Sequence, residues 1–525
     1  MKPLKGILFV TLFGALGMPI HSGGAPTQEQ MDKLLARPPF DMALARDAGS
    51  LEMETVKDWH AVATKPPTLQ KHAVITLFQL PSGAKARIPV FFVIPESGKP
   101  CRNVLMRTAQ YNSVKVELAE YECMLLQHGI GVVRAALESP TKIPGNGKDL
   151  VREMNKFYFQ TADFRTGNGY LWGMTYMRAL TAAYSMPDRF QPGGKVFVTG
   201  ASKAGFAAAM ALINDDRFTA MAGLVCSAAR PPANDAWRAA VAKANAQFQI
   251  DLAGGKYPAI DEAVKGSEKK KKILAKALEK GPGAVEERAA AGAGSSEFAE
   301  PDFADWVKAG WPKEFLDRYA EHVWDHVLVT RNLKPLTERG ARYFFHCGSN
   351  DNASQGVAVL GRDFPGFPEC VVPGGTHGTT PGTDVPTPQL PEAGQNISTF
   401  ALDCFLGGYP WPDPPRLEWK RDGRAIQVKA TFADSKQAGM IKTGALHWAY
   451  DRSPVGSAPY YYDRWQSAEM KQTSPGVWAG QFDLAPGKST LDILTFHHAE
   501  TNGRPIAVSS PYTHVIVEAF VRKSQ

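Results

Sequence analysis

The sequence predicts an α/β protein with an all-β tail, on three observations. Short β-branched and aromatic runs alternate with Ala- and Leu-rich stretches up to about residue 234, and the alternation resumes after residue 338. A Lys-, Ala- and Glu-rich stretch from Asp235 to Glu338 interrupts it. Beyond the stiff, proline-rich Gly407–Pro415, the chain changes to short segments of alternating polarity.

At the N-terminus, Lys2 and Lys5 precede an apolar run from Gly6 to Ile20 and the small residues Ser22-Gly-Gly-Ala25. This is the pattern of a secretory signal peptide, residues 1–25, and the run is too short for a transmembrane helix. A soluble, exported protein, periplasmic or secreted and without stable membrane insertion, is expected. Residues 26–70 read as a helical and irregular lead-in. His72–Phe78 and Ile88–Ile94 flank Pro81-Ser-Gly-Ala-Lys85 and read as a hairpin. Strands are expected near 103–107, 130–134, 195–199, 222–226, 342–347 and 369–373. Tyr170–Tyr184 reads as an amphipathic helix, with Leu171, Met174, Met177, Leu180 and Tyr184 on its apolar face.

The chemistry concentrates at Lys195-Val-Phe-Val-Thr-Gly-Ala-Ser-Lys-Ala-Gly205. A short buried strand runs into a glycine-flanked serine, Ser202, and an Ala-rich helical run follows. Strand, tight turn with serine, then helix is the layout of a nucleophile elbow, although Gly-x-Ser-x-x-Gly departs from the usual Gly-x-Ser-x-Gly. Val-Thr-Gly-Ala-Ser also resembles a dinucleotide-binding turn. That turn would need glycines at Ala204 and Phe206, and a downstream Tyr-x-x-x-Lys is missing; the pair Tyr111 and Lys115 lies upstream. The plainest alternative is a serine N-cap.

An unactivated serine needs a base, and the base an orienting acid. In α/β-hydrolases the order is Ser, acid, His. Asp351 follows the strand Arg342–Cys347 in the turn-like Gly348-Ser-Asn-Asp-Asn. Among 12 histidines, His377 alone combines a strand end, flanking glycines and that order. The expected oxyanion donors are the Lys203 backbone N–H and the loop Thr108–Asn112, with Gln110 or Tyr111 the choice within it. Lys203 adds a positive charge, and Arg134 is expected to end a strand near the site.

These elements define an α/β-hydrolase fold in two parts, residues 26–234 and 339–408. A helical cap insertion separates them at 235–338, and a C-terminal β-sandwich (Ig-like) domain follows at 409–525. The cap's Trp306, Trp311, Phe315, Tyr319 and Trp324 read as core. Apolar and charged fractions of 44% and 21% are those of a globular protein. A net charge of +7 is too mild to argue for nucleic acid. The run Lys269–Lys272 reads as a solvated helix face. Six cysteines, Cys101, Cys123, Cys226, Cys347, Cys370 and Cys404, permit disulfides in an exported protein without fixing any pairing. With no CxxC or HExxH, no metal and no cofactor are expected.

Thr199-Gly-Ala-Ser-Lys-Ala-Gly205, Gly348-Ser-Asn-Asp351 and Gly374-Gly-Thr-His377 resemble the PhoPQ-activated pathogenicity-related proteins. Trp448-Ala-Tyr450 and Asp463-Arg-Trp465 are similar to that family's C-terminal β-domain. The resemblance covers roughly residues 70 to 515 and is strongest at the elbow; Phe206 stands where that family usually has tryptophan. It implies an exported α/β-hydrolase fold and names no substrate. The elbow is more distantly similar to the Gly-x-Ser-Arg-x-Gly of glucuronoyl esterases, where the basic residue sits beside the oxyanion. The expected function is an exported serine hydrolase, a carboxylic ester hydrolase working through an acyl-enzyme on a small-molecule ester. The alternatives are a serine peptidase acting on short peptides and a non-catalytic binding or signalling protein on a hydrolase scaffold.

Overall fold

The computed structural model describes residues 25–108, 118–137, 150, 153–154, 157–158, 161–230, 235–253, 306–307, 310–351, 354, 356–377, 391–457, 459–460 and 463–517. The lead-in forms α1 (Gln28–Ala36) and α2 (Met42–Arg46), each started by a side-chain cap, from Thr27 and Asp41. It then departs from the sequence expectation, because Glu54–Val62 is a strand, β1. β1 is a largely exposed edge strand with two register irregularities against its neighbour. A polar, one-sided edge carries no apolar alternation, which is why the sequence pattern does not reveal it.

β2 (Thr68–Gln79) and β3 (Lys85–Pro95) form the predicted hairpin. The parallel portion follows with β4 (Val104–Thr108), α3 (Glu120–Gln127), β5 (Gly131–Ala135), α4 (Asn168–Tyr184), β6 (Val196–Ala201), α5 (Lys203–Asn214) and β7 (Ala220–Leu224). Helices α6 (Asp235–Ala253), α7 (Lys313–Trp324) and α8 (Leu333–Glu338) occupy the described parts of the predicted insertion; residues 254–305, including Lys269–Lys272, lie outside the described residues. Then come β8 (Arg342–Gly348), α9 (Val357–Asp363), β9 (Glu369–Val372) and α10 (Pro391–Leu406).

The first nine strands make one sheet in the order β1-β2-β3-β5-β4-β6-β7-β8-β9. Pairing is antiparallel up to β3/β5 and parallel from β5 to β9. Setting β1 aside, an antiparallel hairpin leading into a parallel sheet whose third and fourth strands exchange places is the α/β-hydrolase arrangement. The parallel strands are buried on both faces, so they read as continuous apolar runs.

Arg178 on α4 is fully buried and acts as a polar rivet. Its guanidinium donates to the carbonyls of Leu44, Asp47 and Thr76 at 2.6, 2.5 and 2.9 Å. One side chain thereby ties α4 to the α2 segment and to β2 through their backbone acceptors.

Beyond Pro415 the strands are β10 (Arg416–Asp422), β11 (Ala425–Thr431), β12 (Ile441–Tyr450), β13 (Gln466–Glu469), β14 (Lys471–Ser474), β15 (Val477–Asp483), β16 (Thr490–Thr501), β17 (Arg504–Ser509) and β18 (Thr513–Ile516). They form two antiparallel sheets, β10-β11-β15-β14 and β13-β12-β16-β17, with β18 also pairing β16. Ile426, Val428, Trp448, Trp478, Phe482, Leu491 and Ile493 fill the space between them. Trp448 and Phe482 stack with centroids 4.2 Å apart.

The second sheet has a second apolar face. On β16, Leu491 and Ile493 face the sandwich interior, whereas Leu494 and Phe496 belong to the core of the nine-stranded sheet. β17 alternates likewise, with Ile506 and Val508 on one side and Ala507 on the other. The Asn396 carboxamide on α10 pairs with both backbone groups of Ala507, at 2.9 Å each. Val371 N–H on β9 donates to Ser509 Oγ at 2.8 Å. The two parts of the chain therefore share one hydrophobic core. Among the described residues no disulfide joins the six cysteines, and all but Cys123 are buried. Among the described residues no helix is long and apolar enough to cross a membrane.

Candidate active site

Ser202 stands between the last residue of β6 and the first of α5, with φ 55° and ψ −126°. This is a strained backbone for a residue with a Cβ, and such strain persists only where the surroundings over-determine it. Ser202 N–H donates to Leu224 O of β7 at 2.8 Å, and its carbonyl accepts from Gly205 N–H and Phe206 N–H at 2.8 and 3.1 Å. The flanking glycines are there for close approach. A Cβ at Gly200 would lie 2.5 Å from Ala204 Cβ, and one at Gly205 would lie 2.5 Å from Cys226 Sγ. The hydroxyl makes no capping bond to α5, so the N-cap alternative does not describe it. Ser202 is partly exposed, at the positive end of a helix of 12 residues.

Asp351 and His377 follow the C-terminal ends of β8 and β9. His377 Nδ1 and Asp351 Oδ1 are 2.8 Å apart. The carboxylate is fully buried and the imidazole about one-third exposed. Ser354 Oγ donates to Asp351 Oδ2 at 2.7 Å, which leaves each carboxylate oxygen with a partner. With Nδ1–H donating to the carboxylate, the imidazole presents Nε2 as a base. β7 separates β6 from β8, so Ser202 and the acid loop stand roughly 10 Å apart along the sheet edge.

Lys203 begins α5 directly after Ser202, which places its backbone N–H in the first helical turn beside the serine. Gln110 and Tyr111 lie outside the described residues. Thr108, just before them, is anchored to Tyr176 (Oγ1 to Oη 3.0 Å), and Tyr176 Oη donates to Thr199 O at 3.2 Å. Burial first, opposed by the bond to Thr108, pushes the Tyr176 phenol up to about 12. Arg134 is engaged beneath the sheet edge. Its Nε and Nη2 donate to the fully buried Glu122 of α3 at 3.2 and 2.5 Å, and Arg107 lies 3.2 Å from the same carboxylate. These contacts make a buried ion cluster that fixes α3 to β5.

The sequence motifs contain Ser349, Asn350 and Trp465 without assigning them a role, and they do not include Ser354 or Arg452. Ser354 was detectable in principle, as a serine three residues after a strand-end aspartate. The others approach Asp351 from the C-terminal β-domain or support its loop, and no local pattern encodes that. Among the described residues no cluster of His, Cys, Asp and Glu could hold a metal ion.

No protein-family model matches the chain, and no curated protein matches it in sequence. Among solved structures, a CE15 glucuronoyl esterase from Teredinibacter turnerae T7901 is similar at 16% identity and a TM-score of 0.24, over 35% of this chain and 46% of that one. Acetyl xylan esterase 1 from Thermoanaerobacterium sp. JW/SL YS485 is similar at 14% identity and a TM-score of 0.33, over 69% and 92%. A Mycobacterium tuberculosis puromycin-hydrolyzing peptidase is similar at 13% identity and a TM-score of 0.31, over 64% and 40%. The chain matches about half the length of the glucuronoyl esterases. Likenesses at these scores decide nothing about its function.

Proposed function

We propose that the protein is a serine hydrolase that cleaves carboxylic esters through an acyl-enzyme. The observation that carries this reading is the backbone of Ser202, a positive-φ serine between two glycines that have no room for a Cβ. A chain gains nothing in stability from such a turn, and its effect is to lift a hydroxyl clear of the helix it precedes. The 2.8 Å contact between His377 and Asp351 supports this reading, since a serine nucleophile needs a base oriented by an acid.

In this mechanism Ser202 Oγ attacks the ester carbonyl carbon while His377 Nε2 takes its proton. Asp351 holds the imidazole in the Nδ1–H tautomer and stabilises the imidazolium that forms. The negative charge on the former carbonyl oxygen is met by the Lys203 N–H and the positive end of α5. A second donor comes from the loop after Thr108, where Gln110 and Tyr111 are the candidates. His377 returns the proton to the leaving alcohol, and water then releases the acid by the same steps reversed. We assign residues 1–25 to an export signal, 235–338 to a cap over the site and 409–525 to the β-sandwich. We place the chain with the PhoPQ-activated pathogenicity-related proteins on the motifs at 199–205, 348–351 and 374–377.

The test is a fluorophosphonate probe applied to the wild-type protein and to Ser202→Ala. The expected result is stoichiometric labelling that disappears in the variant. No labelling of the wild type, or labelling that survives Ser202→Ala, would overturn the assignment. A panel of short-chain esters, uronate esters and aminoacyl amides then separates an esterase from a peptidase.

A further inference from the structure

The C-terminal β-domain sends one buried cation toward the loop that carries Asp351. Arg452, just beyond β12, has a side chain only 4% exposed. Its Nη2 donates to Ser349 O at 2.9 Å and to Asn350 Oδ1 at 2.7 Å. Its Nη1 donates to Tyr512 Oη at 2.6 Å, and its Nε lies 3.3 Å from Asp463 Oδ2. The guanidinium sits 4.1 Å above the Tyr460 ring and 5.1 Å from that of Trp465.

These contacts converge on Asn350. Its Oδ1 accepts from Arg452 and, at 2.9 Å, from Trp465 Nε1. Its Nδ2 donates to Asp463 O at 2.7 Å. Its backbone N–H donates to Gly375 O at 2.8 Å. Asn350 is thus held by three residues of the β-domain, precedes Asp351 directly, and is bonded to the loop two residues before His377. The neighbouring Ser349 Oγ accepts from Gly374 N–H at 2.7 Å, a second tie between the acid and base loops.

We propose that Arg452 and Trp465 are positioning residues that act through Asn350 to fix Asp351 and His377 relative to each other, so that the C-terminal β-domain forms part of the catalytic apparatus. This rests on the assignment of Asp351 and His377 under the proposed function. Domain cohesion alone does not require these contacts at this loop. The shared core around Leu494, Phe496 and Ala507 and the Asn396–Ala507 pairing already join the two parts elsewhere. A planar guanidinium with several donors fixes two acceptors on adjacent residues at once, which a lysine does less well.

The experiment compares Arg452→Met, Arg452→Lys and Trp465→Phe in the full chain, with Arg504→Met as control. Arg504 donates to Thr399 and Ser398, a contact between the same two parts that does not involve the acid loop. The readouts are kcat and KM on a short-chain ester, and the low-field NMR resonance of the His377–Asp351 proton, assigned by its loss in His377→Gln. Arg452→Met and Trp465→Phe are expected to lower kcat by about tenfold or more with KM within about twofold, because small misplacements near the reacting groups are costly. They are also expected to shift or broaden the resonance. Arg452→Lys should restore part of both, and Arg504→Met should change neither. Trp465→Phe removes one donor and keeps an aromatic ring, so it carries the test if Arg452→Met does not fold. Wild-type kcat and an unmoved resonance in Trp465→Phe and Arg452→Lys would overturn the proposal, as would an equal kcat loss in Arg504→Met. A wild type with no hydrolase activity refutes the parent reading; the resonance still reports whether the clamp orders the pair.

Discussion

Gly205→Ala is the substitution whose effect follows most directly from the packing of the elbow. Its Cβ would lie 2.5 Å from Cys226 Sγ, 3.1 Å from Cys226 Cβ and 3.1 Å from Gly200 O. Ordinary contacts between such atoms are about 3.5–4.0 Å, so α5 must lift from the segment that follows β7 by up to roughly 1 Å. Overpacking of this kind costs about 1–3 kcal/mol. With an unfolding entropy of about 2.1 cal/mol/K per residue, a cooperative unit of roughly 400 residues loses about 1 °C of Tm per kcal/mol. A modest fall of about 1–3 °C is therefore expected. The effect on reactivity is larger, because Gly205 N–H and Phe206 N–H bond to Ser202 O. Moving the elbow by a fraction of an ångström should slow fluorophosphonate labelling by about 10²-fold. Adding Cys226→Ala removes the closest contact, so Gly205→Ala/Cys226→Ala should label faster and melt higher than Gly205→Ala. If the two substitutions are simply additive in both assays, the contact with Cys226 is not what requires glycine here.

Three further outcomes are expected. Asp351→Asn should lower kcat by about 10⁴-fold through the wrong imidazole tautomer, with little change in Tm; a loss below tenfold would remove Asp351 from its role. The Glu369 carboxyl is pushed up to about 8 by burial, opposed by a hydrogen bond from Cys347. The folded state therefore binds a proton that the unfolded state releases above pH 4.5, and stability falls as pH rises from 4.5 to about 8. Glu369→Gln should flatten this dependence in Tm measured at pH 5 and pH 8, with an upper bound of roughly 4 kcal/mol, and an unchanged slope would refute the assignment. Arg178→Met removes the guanidinium that bonds the carbonyls of Leu44, Asp47 and Thr76 and should cost about 1–3 kcal/mol; limited proteolysis should then cut the segment carrying α1 and α2 first, and wild-type resistance would count against the rivet.

Much of the sheet was legible because each parallel strand is buried on both faces and bounded by turn residues. The strand expected at 195–199 is β6, and the helix expected at 170–184 begins two residues earlier, at Asn168. Asp351 and His377 stood out because both follow strand ends, where glycines and turn residues concentrate. Legibility failed where structure comes from distant contacts. β1 shows no apolar alternation because its outer side faces solvent. Arg134 sits at the end of a strand as expected, yet its charge is matched by Glu122 on α3, a partner no local pattern indicates. Arg452 lies 102 residues from Asn350 in sequence, so its polar side chain reads as surface although only 4% of it is exposed.

The two-sided burial of β16 and β17 has a consequence for how the chain is made. Ser202, Asp351 and His377 are all synthesised before any residue of the sheet that completes their common core. At about 5–20 residues per second, the wait between His377 and Tyr512 lasts on the order of ten seconds. Throughout that interval β9 and α10 have an uncovered apolar flank, which is a surface for chaperones or for aggregation. Stop codons or proteolytic cuts in the last fifty residues would therefore do more than trim an appendage. They would leave chains that contain Ser202, Asp351 and His377 and lack the sheet that packs beneath their loops.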